Sequence, residues 1–261
     1  MSVHLSPLQS KSSAILLLLL LLPWAANAGT LSVISTDRWV HVVRVYDGDT
    51  FRTTRGGRVR LLGINTPEVA HNRQREQVMG HEASIRLQQL ISGKTVRLSF
   101  DKVRQDDYGR TLAHVYLRDN SWVNAQLVRE GLAHVYTFEP NHRWTKALLV
   151  AERQARTAHV GIWSTNRFRV LAAEKVTARH VGQFRLITGS AEQSSGWSFQ
   201  LGRLHISVPP KYRQWFKHPL QLTPGRSITV RGVIRASRTG NYSLALHSPF
   251  DVEYSDGSTQ P

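Results

Sequence analysis

The sequence predicts an α+β domain followed by a small all-β domain, both behind an N-terminal leader. Three observations carry that reading. Residues 40–62 alternate β-rich runs with Asp-Gly and Gly-Gly turns, helical patterns that end on Gly fall between residues 82 and 161, and helical signal vanishes from about residue 176. The 261 residues are 41% apolar and include 7 Trp, 7 Tyr and 8 Phe, which is enough to build cores and excludes a disordered basic tail or a collagen-like chain. At about 100 to 200 residues per domain, the length accommodates two domains.

The leader comes first. Lys11 and the initiator amine precede Ala14-Ile15 and the run Leu16 to Leu22, and Ala26-Asn27-Ala28 supplies a small-x-small cleavage pattern. Residues 1–28 are therefore read as a cleaved leader, with the mature chain starting at Gly29 and working outside the cytoplasm, periplasmic or secreted. An uncleaved anchor would need about 20 apolar residues, and Pro23 and Asn27 interrupt this run. No stable membrane insertion is expected after cleavage, and no Cys follows the site to make a lipoprotein.

Within residues 29–172, Val40 to Tyr46, Thr50 to Thr53 and Arg58 to Leu62 read as strands, joined by the turns Asp47-Gly48 and Arg55-Gly56-Gly57. Glu82 to Ile91 is rich in helix formers and stops at Gly93. Thr95 to Phe100 and Thr111 to Leu117 are two more strands around the polar turn Asp106-Asp107-Tyr108-Gly109-Arg110. Asn124 to Glu130 before Gly131, and Trp144 to His159 before Gly161, read as further helices. In residues 173–261, Phe184 to Thr188, Trp197 to Leu201, Leu204 to Val208, Ser227 to Ile234 and Tyr242 to Leu246 are strand-like, broken by Gly202, Pro209-Pro210, Pro224-Gly225 and Gly240-Asn241. Five short strands predict a small barrel, the oligonucleotide-binding (OB) type among the candidates.

Charge narrows the class of function. With 34 Lys plus Arg against 18 Asp plus Glu, the formal charge is +16, which points to a polyanionic partner, nucleic acid or an anionic surface. The absence of Cys excludes a disulfide framework, a thiolate metal site and a thiol nucleophile, so any metal binds through O or N. Neither GxGxxG nor GxxxxGK[ST] occurs in the chain.

Four segments combine acids with arginine or histidine: Asp47-Gly48-Asp49-Thr50, Arg60-Leu61-Leu62-Gly63-Ile64-Asn65-Thr66-Pro67-Glu68, Gly80-His81-Glu82-Ala83-Ser84, and Asp106-Asp107-Tyr108-Gly109-Arg110. Cleaving a phosphodiester requires charge on the non-bridging oxygens to be neutralised, and a hard cation on oxygen ligands or a guanidinium fork does so. Asp49, Asn65 and the Thr66 carbonyl offer oxygens, Arg60 and Arg110 offer forks, and Glu68 follows a proline that fixes its backbone and could act as general base. Each segment alone has a plainer reading: a hairpin turn, a solvated arginine, a helix entry, a surface turn.

Read together and in order, from Val40 to Gly161-Ile162-Trp163, the segments resemble the staphylococcal nuclease (thermonuclease) family. The resemblance implies a five-stranded OB-like barrel with three helices, calcium-dependent, sugar-nonspecific cleavage of DNA and RNA, and 3′-phosphate ends. It implies catalytic roles for Arg60, Glu68 and Arg110 and calcium-ligand roles for Asp49 and Thr66. Asn65 departs from the family's usual Asp, so calcium should be held more weakly there.

Val69 to Met79, with His71, Arg73 and Arg75, falls where the family has a basic loop, and Arg73 and Arg75 are phosphate-tracking candidates beside an ordinary solvated-loop reading. Tyr108 and Tyr136 are candidates for stacking on the substrate nucleotide, or half-buried core. The histidines are too dispersed for a zinc set. In the second domain Trp197, Phe199, Tyr212, Trp215 and Phe216 interleave with Arg203, Lys211, Arg213 and Lys217, which suits base stacking as well as it suits a barrel core. The rivals to a nuclease are a catalytically weak nucleic-acid-binding protein on the same barrel and a basic protein that binds anionic envelope polymers.

Overall fold

Alternating apolar residues set the first barrel. In the computed structural model, which describes Met1 and residues 37–69, 77–220, 222, 225–237 and 241–255, strand β1 (Arg38–Val45) turns Val40 and Val42 inward, and β2 (Thr50–Thr53) and β3 (Arg58–Leu61) bury Phe51, Val59 and Leu61. The expected leader, and Arg73 and Arg75 of the basic loop, lie outside the described residues. A two-residue strand β4 (Ile64–Asn65) follows, then helix α1 (Gly80–Ile91), whose buried Ala83, Ser84, Leu87, Leu90 and Ile91 recur at helical spacing. Strands β5 (Thr95–Ser99) and β6 (Thr111–Tyr116) complete a closed barrel in the order β1-β2-β3-β6-β5, with β3 and β6 parallel and every other pair antiparallel.

Helix α2 (Val123–Arg129) is fixed by one buried side chain: Asn124 donates to the Leu62 carbonyl and accepts from Val115 N–H, both at 2.9 Å. Strand β7 (His134–Val135) pairs with β4, and α3 (Thr145–Thr157) buries Leu148, Leu149, Ala151 and Glu152 on one face. Among the described residues no helix is long and apolar enough to cross a membrane.

The C-terminal strands form a second barrel. After the short β8 (Leu171–Ala172) come β9 (Phe184–Ser195), β10 (Ser198–Leu201), β11 (Leu204–Ser207), β12 (Ser227–Ala236), β13 (Tyr242–Ala245) and β14 (Val252–Tyr254). β9 pairs with both β10 and β12, which closes the ring β9-β10-β11-β13-β12 with β11 and β13 parallel. Written as first to fifth strand, each barrel has the cyclic order 1-2-3-5-4 with strands 3 and 5 parallel, so the second barrel repeats the topology of the first. Phe199 and Phe216 are core residues of the second barrel, leaving Trp197, Tyr212 and Trp215 partly exposed against it.

Buried charges join the barrels. Glu152 on α3, fully buried, accepts from Val135 N–H at 2.7 Å and lies 2.8 Å from Arg231 on β12, which is 2% exposed. Arg231 also approaches Glu253 at 3.4 Å, and Arg156 of α3 holds Glu253 at 2.6 Å. Removing one member of such a group would strand a buried charge at a cost of about 3 to 5 kcal/mol.

His114 on β6 is packed between the rings of Trp122 and Trp144, at centroid distances of 5.3 and 4.4 Å, and burial then nearby Arg143 push its pKa down to about 3. The folded state therefore holds this imidazole neutral, and its contribution to stability is present above the unfolded pKa of 6.5 and lost as pH falls below it. His114→Phe removes that linkage, so unfolding measured in denaturant should shift in the variant's favour by about 2 to 3 kcal/mol between pH 7 and pH 4.5. A difference between the two proteins that does not change with pH would contradict a neutral buried His114.

Candidate active site

Lateral pairing of β2, β3 and β6, with Thr50 beside Arg60 and Arg60 beside Leu112, brings three segments of the first barrel together to build the site. The β1–β2 turn is closed by Tyr46 N–H on the Thr50 carbonyl at 2.8 Å, and inside it Asp47 Oδ1 accepts from Asp49 N–H at 2.9 Å, an Asx turn that aims Asp49 inward. Asp49 is 6% exposed. Its Oδ1 accepts from the Thr50 hydroxyl at 3.1 Å, and its Oδ2 accepts from Thr66 N–H at 3.0 Å, the Thr66 hydroxyl at 3.1 Å and Arg60 Nη1 at 2.8 Å. Gly48 between the two acids is required for this convergence, because a Cβ there would lie 2.7 Å from both Ala83 of α1 and the Thr66 hydroxyl.

Arg60, at the inner end of β3, spans two partners. Its Nη1 meets Asp49 and its Nη2 donates to Asn65 Oδ1 at 2.7 Å, while Asn65 Nδ2 donates to the Thr66 carbonyl at 3.1 Å. Glu68, two residues past Thr66, is exposed, and its carbonyl accepts from Gln77 N–H at 2.9 Å. Gly80 at the start of α1 packs on that carbonyl so closely that a Cβ would sit 2.5 Å away. The backbone of Glu68 is thus pinned while the residue stays exposed to solvent.

The third segment presents Arg110. Asp106 accepts from the N–H groups of Tyr108 and Arg110 at 3.0 and 2.9 Å, and its Oδ2 takes Arg110 Nε at 2.7 Å. Burial opposes charge on Asp106, yet the Arg110 N–H and guanidinium outweigh it and hold the carboxyl below the usual range. A cleft of about 260 Å³ results, lined by Arg60, Asn65, Asp106, Tyr108, Arg110 and Tyr136 with Phe138 behind. Tyr108 is 85% exposed at its rim and Tyr136 is 40% exposed.

The structure thus brings Arg60, Asn65, Arg110, Tyr108 and Tyr136 onto one cleft, with Asp49 and Thr66 buried beneath it and Glu68 outside its lining. Two residues went unassigned in the sequence. Asp106 orients Arg110, a role the Asx turn in Asp-Asp-Tyr-Gly-Arg could have signalled. Asp47 adds a second carboxylate beside Asp49, and burial first, then the Asp49 charge, push its pKa up to about 6.

Two neighbouring carboxyl groups, Asp49 buried and Asp47 half-buried, with the Thr66 carbonyl and the Asn65 amide nearby, form a hard-oxygen donor set. Among the described residues no group of three or more His, Asp or Glu side chains is placed to hold a metal ion, so the acidic donors are these two. The set suits a hard cation that would relieve the Asp47–Asp49 repulsion. Asn65 would join it only by turning its amide away from Arg60 and Thr66.

An OB barrel with two arginines and a buried carboxylate on one cleft defines a class of protein that engages phosphodiesters. The chain belongs to the staphylococcal nuclease family: the sequence profile described as "Staphylococcal nuclease homologue" matches residues 58–165. It is 36% identical over 133 residues to the thermonuclease of Staphylococcus hyicus, covering 50% of this chain and 78% of that protein. The thermonuclease of Staphylococcus intermedius is 37% identical over 125 residues, 47% of this chain and 74% of that protein, and endonuclease YncB of Bacillus subtilis (strain 168) is 36% identical over 149 residues, 54% and 70%. These matches, each about half of this chain, leave room for the second barrel.

Since Asp106 orients Arg110, Asp106→Ala should lower kcat by about 10-fold or more with little change in KM, because a guanidinium displaced by about 1 Å loses its transition-state contact. Steady-state kinetics on a defined oligonucleotide would check this, and an unchanged kcat would show that Arg110 needs no such support.

Proposed function

We propose that the protein is an exported, calcium-dependent, sugar-nonspecific nuclease that hydrolyses phosphodiester bonds of DNA and RNA and leaves 3′-phosphate ends. The observation that carries this is the convergence of Arg60 and Arg110 on one cleft above the buried Asp49. Nuclease chemistry is supported by the family and by relatives whose names are thermonuclease and endonuclease; export rests on the leader-like segment of residues 1–28.

Arg60 and Arg110 bind the non-bridging oxygens of the scissile phosphate through their planar guanidinium forks. Glu68 takes a proton from the attacking water, the water oxygen adds to phosphorus, and the bond to the 5′ oxygen breaks, that oxygen taking a proton from solvent water while the phosphate stays on the 3′ side. Tyr108 and Tyr136 flank the nucleotide by stacking, and Arg73 and Arg75 add positive charge that attracts phosphates of the strand. Calcium, when bound, supplies Lewis-acid neutralisation of the same oxygens, and Asp47, Asp49 and the Thr66 carbonyl would hold it, with Asn65 joining once its amide turns.

The Asn65 pairing with Arg60 also supports a second reading, a nucleic-acid-binding protein of weak catalytic power. Glu68→Gln separates the two. In the nuclease it should cut turnover by about 10² or more while leaving DNA affinity nearly intact, and unchanged turnover would remove Glu68 from the mechanism.

Metal binding has its own readout. With one more carboxylate at the site, Asn65→Asp should show a larger calcium-induced rise in melting temperature than the parent at equal calcium and ionic strength, since ligand affinity adds to stability by mass action. Equal shifts in the two proteins would place residue 65 outside the ion's reach.

A further inference from the structure

A second cationic recess lies where the barrels join. It encloses about 450 Å³ and is lined by Arg167, Arg169, Arg179, Arg185, His180 and Gln183, among others, with no carboxylate in its lining. The residues come from three stretches: the segment after α3 that leads into β8, a 3₁₀ turn at Ala178–His180, and the first residues of β9. Among the described residues no carboxylate forms an ion pair with any of the four arginines.

Arg185 is the unusual member. It is 4% exposed, its Nε has no hydrogen-bond partner, and its two other nitrogens reach only neutral oxygens, Gln183 Oε1 at 3.4 Å and the Arg169 carbonyl at 3.1 Å. Burial, then repulsion from Arg167, Arg169 and Arg179, pulls its pKa down to about 10. A buried guanidinium facing three others without a counter-charge is unfavourable unless an anion completes it. Forked donors recessed in a concavity fit a tetrahedral anion with several oxygens, whereas a lipid surface is met by exposed, mobile lysines and arginines.

The recess adjoins the cleft. Phe184, next to Arg185, stacks on His134 at 4.2 Å and lies 6.0 Å from Tyr136, which lines the cleft; its carbonyl accepts from Arg167 Nη1 at 3.2 Å. One aromatic residue thus contacts a lining residue of each region, Tyr136 of the cleft through its ring and Arg167 of the recess through its carbonyl. We propose that this recess is a phosphate-binding site, and that its phosphate belongs to the nucleic-acid strand whose scissile bond occupies the cleft. The strand assignment rests on the nuclease reading; the phosphate site does not.

Arg169 and Arg179 are exposed, so an Arg169→Gln/Arg179→Gln double variant of the full chain should fold. With chelator present to prevent cleavage, single-stranded DNA affinity is measured against salt. The expected result is weaker binding and a slope of log affinity against log salt shallower by about 0.7 to 1.4, one to two phosphates' worth, with hydrolysis of a dinucleotide unchanged. In a parallel arm, inorganic phosphate should raise the melting temperature of the parent more than that of the variant. Loss of the phosphate effect with an unaltered DNA slope would keep the site but overturn the strand as its source. No change in either arm would overturn the proposal. Because the binding arm involves no cleavage, its outcome is independent of whether the protein is a nuclease, which dinucleotide hydrolysis by the parent reports.

Discussion

Asp49 is the group on which the site depends. A carboxylate this deeply buried is costly unless its oxygens are matched, and Thr50, Thr66 and Arg60 supply the donors. Satisfying Asp49 places everything else: Arg60 is drawn to the floor of the cleft, Thr66 is held so that Pro67 and Glu68 follow in a fixed direction, and Gly48 must lack a side chain so that α1 can close over the turn. The same convergence leaves Asp47 crowded against a like charge, which gives a cation a reason to bind.

The second barrel braces the wall of the cleft that carries Tyr136 and Phe138. The segment that carries Tyr136 and Phe138 is tied to it through the Thr137 hydroxyl on buried Asp251 at 2.7 Å and the Ser248 hydroxyl on Glu139 at 2.6 Å. With Glu152, Arg231, Glu253 and Arg156 joined below, the described residues from Asp37 onward form one compact unit rather than two tethered barrels.

Both sets of barrel strands could be read from the sequence because Asp-Gly, Gly-Gly and Pro-Gly turns mark their ends and apolar alternation fills them. β4 and β7, two residues each, are too short for periodicity to show. Arg60, Asn65, Tyr108, Arg110 and Tyr136 stand out in their local segments, and the fold gathers them because β3 pairs with β6 behind Arg110 and β4 pairs with β7 ahead of Tyr136. Glu152 reads as a solvated helical charge; only docking of β12 against α3 reveals its partner. The same holds for Arg185, whose three neighbours are scattered over two segments, and for the Asn65 amide, whose orientation is set by Arg60 rather than by its own neighbours in sequence.

A double-mutant cycle between Asp49 and Arg60 tests the account most directly. If Asp49 acts by holding Arg60 in place, Asp49→Asn and Arg60→Lys each lower kcat/KM by a large factor, and the double variant is scarcely worse than the poorer single one. Losses that multiply, with full additivity in free energy, would mean that the two residues act independently and would contradict the shared carboxylate as the organiser of the site.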